Sequence, residues 1–320
     1  MRLSDIREGG KRAVANAITR LETHPRDPAV IALLDEAFEA RFGVAIGITG
    51  PPGVGKSSLT QALIDELRRR DKSVAIVAVD PSSARTGGAL LGDRTRIETD
   101  PSDQGVFMRS MAARGSLGGL SAIAFPAVVL LRALFDIVLV ETVGVGQSEI
   151  EVAERTDGVV FCAQPGSGDA LQFMKAGVME IPDVVFITKG DMGDLARRAA
   201  ADLKGAFSLD TRGESVPFEV VSSRTGEGIS PATDVLLSRL VAPTLSQSGV
   251  EKRRLQGEAW ALDYLRLRFG EAGLSYVKQA FVGRRSPFGQ MSDLEQQLEA
   301  ALRRGWSGVE SAKTPLAEKV

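Results

Sequence analysis

The run Val44-Ala45-Ile46-Gly47-Ile48-Thr49-Gly50-Pro51-Pro52-Gly53-Val54-Gly55-Lys56-Ser57, continued by Ser58, Leu59, Ala62, Leu63 and Leu67, decides the fold. Its apolar first half reads as a buried strand, and the apolar residues behind it recur at helical spacing through Arg70. Between them stands a complete G-x-x-x-x-G-K-[ST] loop, so strand, glycine turn and helix follow in the order a phosphate-binding loop requires. The glycines let the backbone turn its N–H groups inward around a phosphate, and the helix start adds partial positive charge. Lys56 is expected to reach the β- and γ-phosphates, and the Ser57 hydroxyl to ligate magnesium. Gly50, Pro51, Pro52, Gly53, Val54, Gly55, Lys56, Ser57 and Ser58 thus form the first part of a candidate nucleotide site.

Outward from this loop the pattern alternates strand and helix, which predicts an α/β fold of the P-loop NTPase type. A mostly parallel central sheet is flanked by helices, with helical extensions at both ends. Strands are predicted at Val44 to Thr49, Ser73 to Val79, Ile137 to Glu141, Gly158 to Ala163, Val184 to Thr188 and Phe218 to Val221. Their carboxyl ends are expected to line one edge of the sheet, where open α/β folds bind ligands. Before the first strand, Val14, Ala17, Ile18 and Leu21 mark one amphipathic helix. His24-Pro25 breaks it, and Ile31 to Phe42 reads as a second. The Ser/Pro/Thr-containing stretch Val241 to Gly249 reads as a linker, beyond which Glu251 to Phe269 and Ser292 to Arg304 are charged amphipathic helices. The expected division is an N-terminal helical extension over 1–42, a nucleotide-binding domain over 43–242 and a C-terminal helical arm over 250–320. That arm reads either as a solvated appendage or as an oligomerisation element.

Composition narrows the partners. The 320 residues carry 39 Lys and Arg against 41 Asp and Glu, a net charge of −2, so no electrostatic case exists for nucleic acid or an anionic membrane as the main partner. A single cysteine excludes an intrachain disulfide, and with no apolar leader at the start the expected location is the cytoplasm. Cys162 sits in the apolar run Val159 to Ala163 and reads as a core residue. His24, the only histidine, reads as a turn residue rather than a ligand. The longest apolar window, Ala122 to Leu131, contains Pro126, ends at Arg132 and is too short to span a bilayer.

The remaining polar motifs fall at predicted strand ends. Val79-Asp80-Pro81 puts a carboxylate beside the phosphate loop, and the glycine-rich Ala84 to Arg96 segment adds Asp93 as a second magnesium-side acid. Arg85, Arg94 and Arg96 are candidates for offsetting phosphate charge, and their spacing does not choose among them. Ile137 to Glu141 ends in an acid at the Walker B position, making Glu141 both a metal and a catalytic candidate alongside Lys56. Gly144 follows where an N–H meets a γ-phosphate, and Gln147 is a candidate for orienting the attacking water. Thr188-Lys189-Gly190-Asp191 is a [NT]-K-x-D guanine motif: the Asp191 carboxylate accepts the N1 and N2 protons of guanine and the Lys189 stem packs on the base. Adenine lacks that donor pair. Ser222-Ser223-Arg224-Thr225-Gly226 after the last strand completes the guanine side. GTP or GDP is therefore the expected ligand, with Mg²⁺.

With these residues in place, the chain resembles the MeaB/ArgK-type GTPases, the methylmalonyl-CoA mutase-associated G proteins of the SIMIBI class. The resemblance rests on Gly47 to Ser57, on Val79 to Ser83 with Arg85 to Gly88 and Leu91 to Asp93, and on Val140 to Glu149, and it extends over about residues 1 to 230. It implies a homodimeric GTPase that binds an adenosylcobalamin-dependent acyl-CoA mutase, gates cofactor loading and protects the mutase from inactivation. It also implies magnesium-site carboxylates at Asp80, Asp93 and Glu141, and a switch loop over Gln164 to Gln172 that reports nucleotide state to the mutase. Thr188 in place of Asn, Ile181-Pro182 and the C-terminal arm depart from the family pattern. Two other readings use the same loop: a metal-delivering GTPase, for which one Cys and one His are a poor soft-ligand set, and a small-molecule kinase, for which no acceptor motif is evident.

Overall fold

The computed structural model describes residues 1–40, 42–81, 97–113, 123–142, 148–166, 181–208, 216–277 and 286–312. Three helices open the chain: α1 (Leu3–Glu8), α2 (Gly10–Thr23) and α3 (Pro28–Glu39). Then β1 (Val44–Thr49) leads into α4 (Lys56–Arg69), followed by β2 (Val74–Pro81), β3 (Val106–Ala113), α5 (Ala124–Arg132), β4 (Ile137–Glu141), α6 (Ser148–Arg155) and β5 (Gly158–Ala163). The second half holds β6 (Val184–Ile187), α7 (Asp194–Phe207), β7 (Phe218–Val220), α8 (Ile229–Leu236), α9 (Gln247–Val277) and α10 (Pro287–Ala312).

The strands form one seven-stranded sheet in the order β3-β2-β4-β1-β5-β6-β7, and every described pairing is parallel. Strands β2, β3 and β4 lie on one side of β1 and β5, β6 and β7 on the other, so the loop after β1 lies at the switch point of the sheet, where open α/β folds bind ligands. Strands β1, β4, β5 and β6 are buried along their whole length, as a parallel sheet covered on both faces demands. Alternate residues serve opposite faces. Val44, Ile46 and Ile48 join Leu59, Leu63 and Leu67 of α4 on one side, whereas Ala45, Val138 and Val140 join α3 and α5 on the other.

Some elements differ from the sequence expectation, and α5 adds to it. Strand β3 is missing from it because Arg109 and Ser110 interrupt the apolar run. At the sheet edge β3 pairs only with β2, which leaves Arg109 free to ion-pair with Glu22 of α2. The apolar window around Pro126 is α5, buried at all nine positions, with the proline in the first turn where its missing N–H costs nothing.

The expected linker at Val241–Gly249 is largely helical. Leu237–Val241 forms a π-turn, Ala242–Thr244 a short helical turn, and α9 has begun by Gln247. Pro243 supplies no N–H to the ladder here, and the buried Thr244 hydroxyl caps Leu240 O at 2.6 Å, so polar composition hides a packed segment.

The C-terminal helices are not a solvated appendage. Trp260 of α9 meets Phe125 of α5 at 5.6 Å and Phe288 of α10 at 5.0 Å between ring centroids, and Phe288 meets Phe38 of α3 edge-on at 6.1 Å. N-terminal helices, α5, α9 and α10 thus share one hydrophobic cluster. Gly270, at φ 70°, breaks α9 internally. Below the sheet, buried Arg253 of α9 grips Asp157, the residue before β5, through two bonds of 2.7 and 2.8 Å, and reaches Gly43 O at 2.7 Å. Among the described residues no helix is long and apolar enough to cross a membrane.

Candidate functional site

The loop after β1 turns sharply because Gly50 holds φ 142°, and a Cβ there would lie 2.3 Å from Cys162 O of the neighbouring strand. Gly55, at φ 99°, sets the left-handed step that starts α4. The first-turn N–H groups of α4 have no helical partner and point back into the loop, the arrangement that receives a phosphate. Ser58 and Pro52 are exposed on the rim, and Val54 is fully buried under it. The buried Lys56 amine bends over the loop and donates to Gly50 O at 2.8 Å and Pro51 O at 3.1 Å.

Parallel register brings the acid to this loop, since Glu141 pairs with Ile48 of β1 and with Ala78 of β2. Ser57 Oγ donates to Glu141 Oε1 at 2.6 Å, and Thr60 Oγ1 donates to Oε2 at 3.1 Å. Thr142 Oγ1 donates to Thr49 Oγ1 at 3.2 Å, tying the exits of β4 and β1 together. Asp80 lies two positions past Ala78 at the same sheet edge, with a side chain outside the described residues. Asp93, Gly144 and Gln147 also lie outside them, as do Arg85, Arg94 and Arg96. A hydroxyl and a carboxylate so close form a hard oxygen pair of the kind magnesium selects, so the described donors fit that ion.

The guanine-side residues gather across β6 and β7. Thr188 Oγ1 donates to Val54 O at 2.6 Å and to Ala163 O at 3.0 Å, bracing the phosphate loop against β5. Lys189, in a left-handed conformation at φ 56°, donates through Nζ to Gly53 O at 3.3 Å and to Gln164 Oε1. Ser222 Oγ donates to Asp191 Oδ1 at 2.9 Å, and the exposed Arg224 guanidinium stands 3.7 Å from Oδ2. Ser223 is half-buried beside them. The expected switch loop at Gln164 to Gln172 is described only through Gly166. Cys162 lies in the core of β5, where burial pushes its thiol up to about 12 and removes it from nucleophilic chemistry. His24 caps the end of α2, its Nδ1 2.8 Å from Thr23 Oγ1.

Sequence reading passed over Thr60, the Lys189–Gln164 contact and the Thr49–Thr142 bridge. Thr60 carried a usable signal: three residues after Ser57, it shares a helix face with it. The other two contacts carried none, because they join the ends of separate strands.

Comparison with known proteins agrees with this geometry. The family model described as methylmalonyl Co-A mutase-associated GTPase MeaB matches residues 14–268, past the resemblance read from sequence and into α9. A Pyrococcus horikoshii protein named as a GTPase is 47% identical over 187 residues, which is 58% of this chain and 59% of that protein. The mitochondrial methylmalonic aciduria type A homolog of Mus musculus is 37% identical over 273 residues, 79% of this chain and 66% of its own. The chain therefore spans under two thirds of either relative. A crystal structure titled LAO/AO transport system kinase matches with a TM-score of 0.62 and 28% identity, over 92% of this chain and 96% of that one. The chain belongs to the MeaB family of methylmalonyl Co-A mutase-associated P-loop GTPases.

Proposed function

We propose that this protein binds GTP with Mg²⁺, hydrolyses it to GDP and phosphate, and uses the two nucleotide states to gate cofactor loading and protection of an adenosylcobalamin-dependent acyl-CoA mutase. The observation that carries the nucleotide half is the convergence of Lys56, the Ser57–Glu141 pair, Thr188 and Lys189 on one loop at the sheet's switch point, with the Asp191–Ser222 pair next to Lys189 in the chain. Lys56 exchanges its loop carbonyls for β- and γ-phosphate oxygens, and the first turn of α4 supplies N–H donors. Ser57 and Glu141, with Asp80 and Asp93, would hold the magnesium ion, which would supply positive charge to offset that of the phosphates. Gly144 gives an N–H to the γ-phosphate and Gln147 orients the water. Asp191, steadied by Ser222, reads the guanine edge while Lys189 covers the base.

The partner half is supported by the family membership and by the mouse relative's name. A homodimer and a cytoplasmic setting complete the reading, the latter fitting a single buried thiol. The test is capture on the protein loaded with a non-hydrolysable GTP analogue, alongside GTP turnover with and without an acyl-CoA mutase of the same source. Recovery of the mutase and a change in turnover are expected. Neither effect with any such mutase defeats the partner assignment, and sedimentation as a monomer defeats the dimer. Phosphate transfer to a small acceptor rather than to water would favour a kinase.

A further inference from the structure

Glu141 carries one more methylene, and one more rotatable bond, than an aspartate at the end of β4 would have, and only 4% of it is exposed. A buried carboxylate on a longer stem needs fixed donors to stay in one place. Two donors come from a single helix face. Ser57 and Thr60, three residues apart at the start of α4, divide the carboxylate between them: Oε1 accepts from Ser57 at 2.6 Å and Oε2 from Thr60 at 3.1 Å.

Thr60 is unusual among the threonines in and at the ends of helices here. A threonine in a helix commonly turns its hydroxyl back to the carbonyl four residues earlier. Thr156, Thr233 and Thr244 do so, to Val152, Ile229 and Leu240 at 2.6, 2.8 and 2.6 Å. Thr60, fully buried beside Leu59, Leu63 and Ile64, points its hydroxyl at Glu141 instead. An apolar residue would fill this core position equally well, so the hydroxyl's distinguishing contribution is a charge-assisted hydrogen bond to the acid.

We infer that Thr60 is a positioning residue that anchors Oε2 of Glu141, so that Oε1 stays beside the Ser57 hydroxyl as one half of the magnesium-side oxygen pair. The inference rests on the reading of Ser57 and Glu141 proposed above. The Ser57 hydroxyl can turn a lone pair toward a cation while its O–H still donates to Oε1, and Thr60 holds the second carboxylate oxygen in place. Outer-shell donors of this kind are worth about 10–100-fold in metal affinity.

The experiment follows release of a fluorescent GDP from the full-length protein across a Mg²⁺ titration, together with thermal melting. Wild-type release is expected to slow as Mg²⁺ rises. Thr60→Val, which keeps the shape and removes the hydroxyl, is expected to move the Mg²⁺ midpoint up by about 10-fold or more, with GDP affinity in excess chelator unchanged. Thr60→Ser restores the wild-type midpoint. A purely structural role would change melting and leave the midpoint alone. An unmoved midpoint in Thr60→Val, or a shifted one that Thr60→Ser fails to restore, overturns the role of Thr60 alone. Wild-type release indifferent to Mg²⁺ overturns the metal reading of Ser57 and Glu141, and the role of Thr60 with it.

Discussion

At the residue scale, the proposed phosphate and base sites rest on two different side chains. The Lys56 amine is buried and hydrogen-bonded to loop carbonyls, which on the proposed reading it exchanges for phosphate oxygens. A charged hydrogen bond of that kind contributes about 1.5–3 kcal/mol. Lys56→Ala is therefore expected to weaken GTP binding by about 10- to 100-fold, measured by titration with a fluorescent analogue. Unchanged affinity would contradict the loop assignment. Asp191, held by Ser222, is expected to discriminate differently. Asp191→Asn presents an amide where guanine presents donors, leaving groups unpaired, so preference is expected to shift from guanine to xanthine nucleotides by at least about 10-fold. Competition between GTP and XTP measures it, and a variant that still prefers GTP defeats the guanine-site reading.

At the scale of elements, the grip of α9 on the sheet is electrostatic and buried. Burial pushes the Asp157 carboxyl up, but the hydrogen bonds from Arg253, with the charges of Arg132 and Arg253 and the Ala45 N–H, outweigh it and hold the group below its ordinary value of 3.8. A carboxyl lowered in the folded state stabilises at pH above 3.8, and that contribution is lost as pH falls through the folded value. Acid melting below about pH 4 is expected to be shallower in Asp157→Asn, which lacks this titration.

Its two arginine neighbours should behave oppositely. Arg253→Met leaves Asp157 without its bidentate partner and is expected to cost about 3–5 kcal/mol in chemical denaturation. Burial pulls Arg132 down to about 10, Asp157 at 3.7 Å works the other way, and none of its three guanidinium nitrogens finds a hydrogen-bond partner among the described residues. Arg132→Met is therefore expected to be neutral or stabilising by up to about 4 kcal/mol, because Asp157 keeps Arg253. A loss as large as that of Arg253→Met would show that the long Arg132–Asp157 contact is essential.

At the scale of the molecule, one hydrophobic cluster runs from Leu3 of α1 through α5 to Leu298 of α10, so among the described residues the N-terminal helices and the first part of α10 share a core. Trp260 sits at its centre with only 5% of its surface exposed. Trp260→Ala is expected to cost about 3–5 kcal/mol and to lower the melting temperature, while GTP affinity of the folded fraction stays unchanged. A variant that melts with the wild-type protein would mean that the C-terminal helices are packed only loosely. The π-helical segment at Leu237–Val241 follows α8 directly, and the kink at Gly270 divides α9 internally.

Much of this was legible without coordinates. The order strand, glycine loop, helix is local, and so are the T-K-x-D motif and the acid closing Ile137 to Glu141. Short-range chemistry therefore determined the phosphate loop, the expected guanine site and the alternating α/β architecture. Edge strand β3 was not legible, because an exposed edge tolerates Arg109 and Ser110 and so erases the apolar pattern. The helical bridge at 237–247 was not legible either, because local hydrogen bonds satisfy its hydroxyls and its polar composition mimics a linker. Only tertiary structure decided that Glu141 lies between Ser57 and Thr60, that Lys189 meets Gln164, and that Arg253 closes on Asp157. Each pair is far apart in the chain, and its contact depends on sheet order and register, which no single segment of sequence encodes.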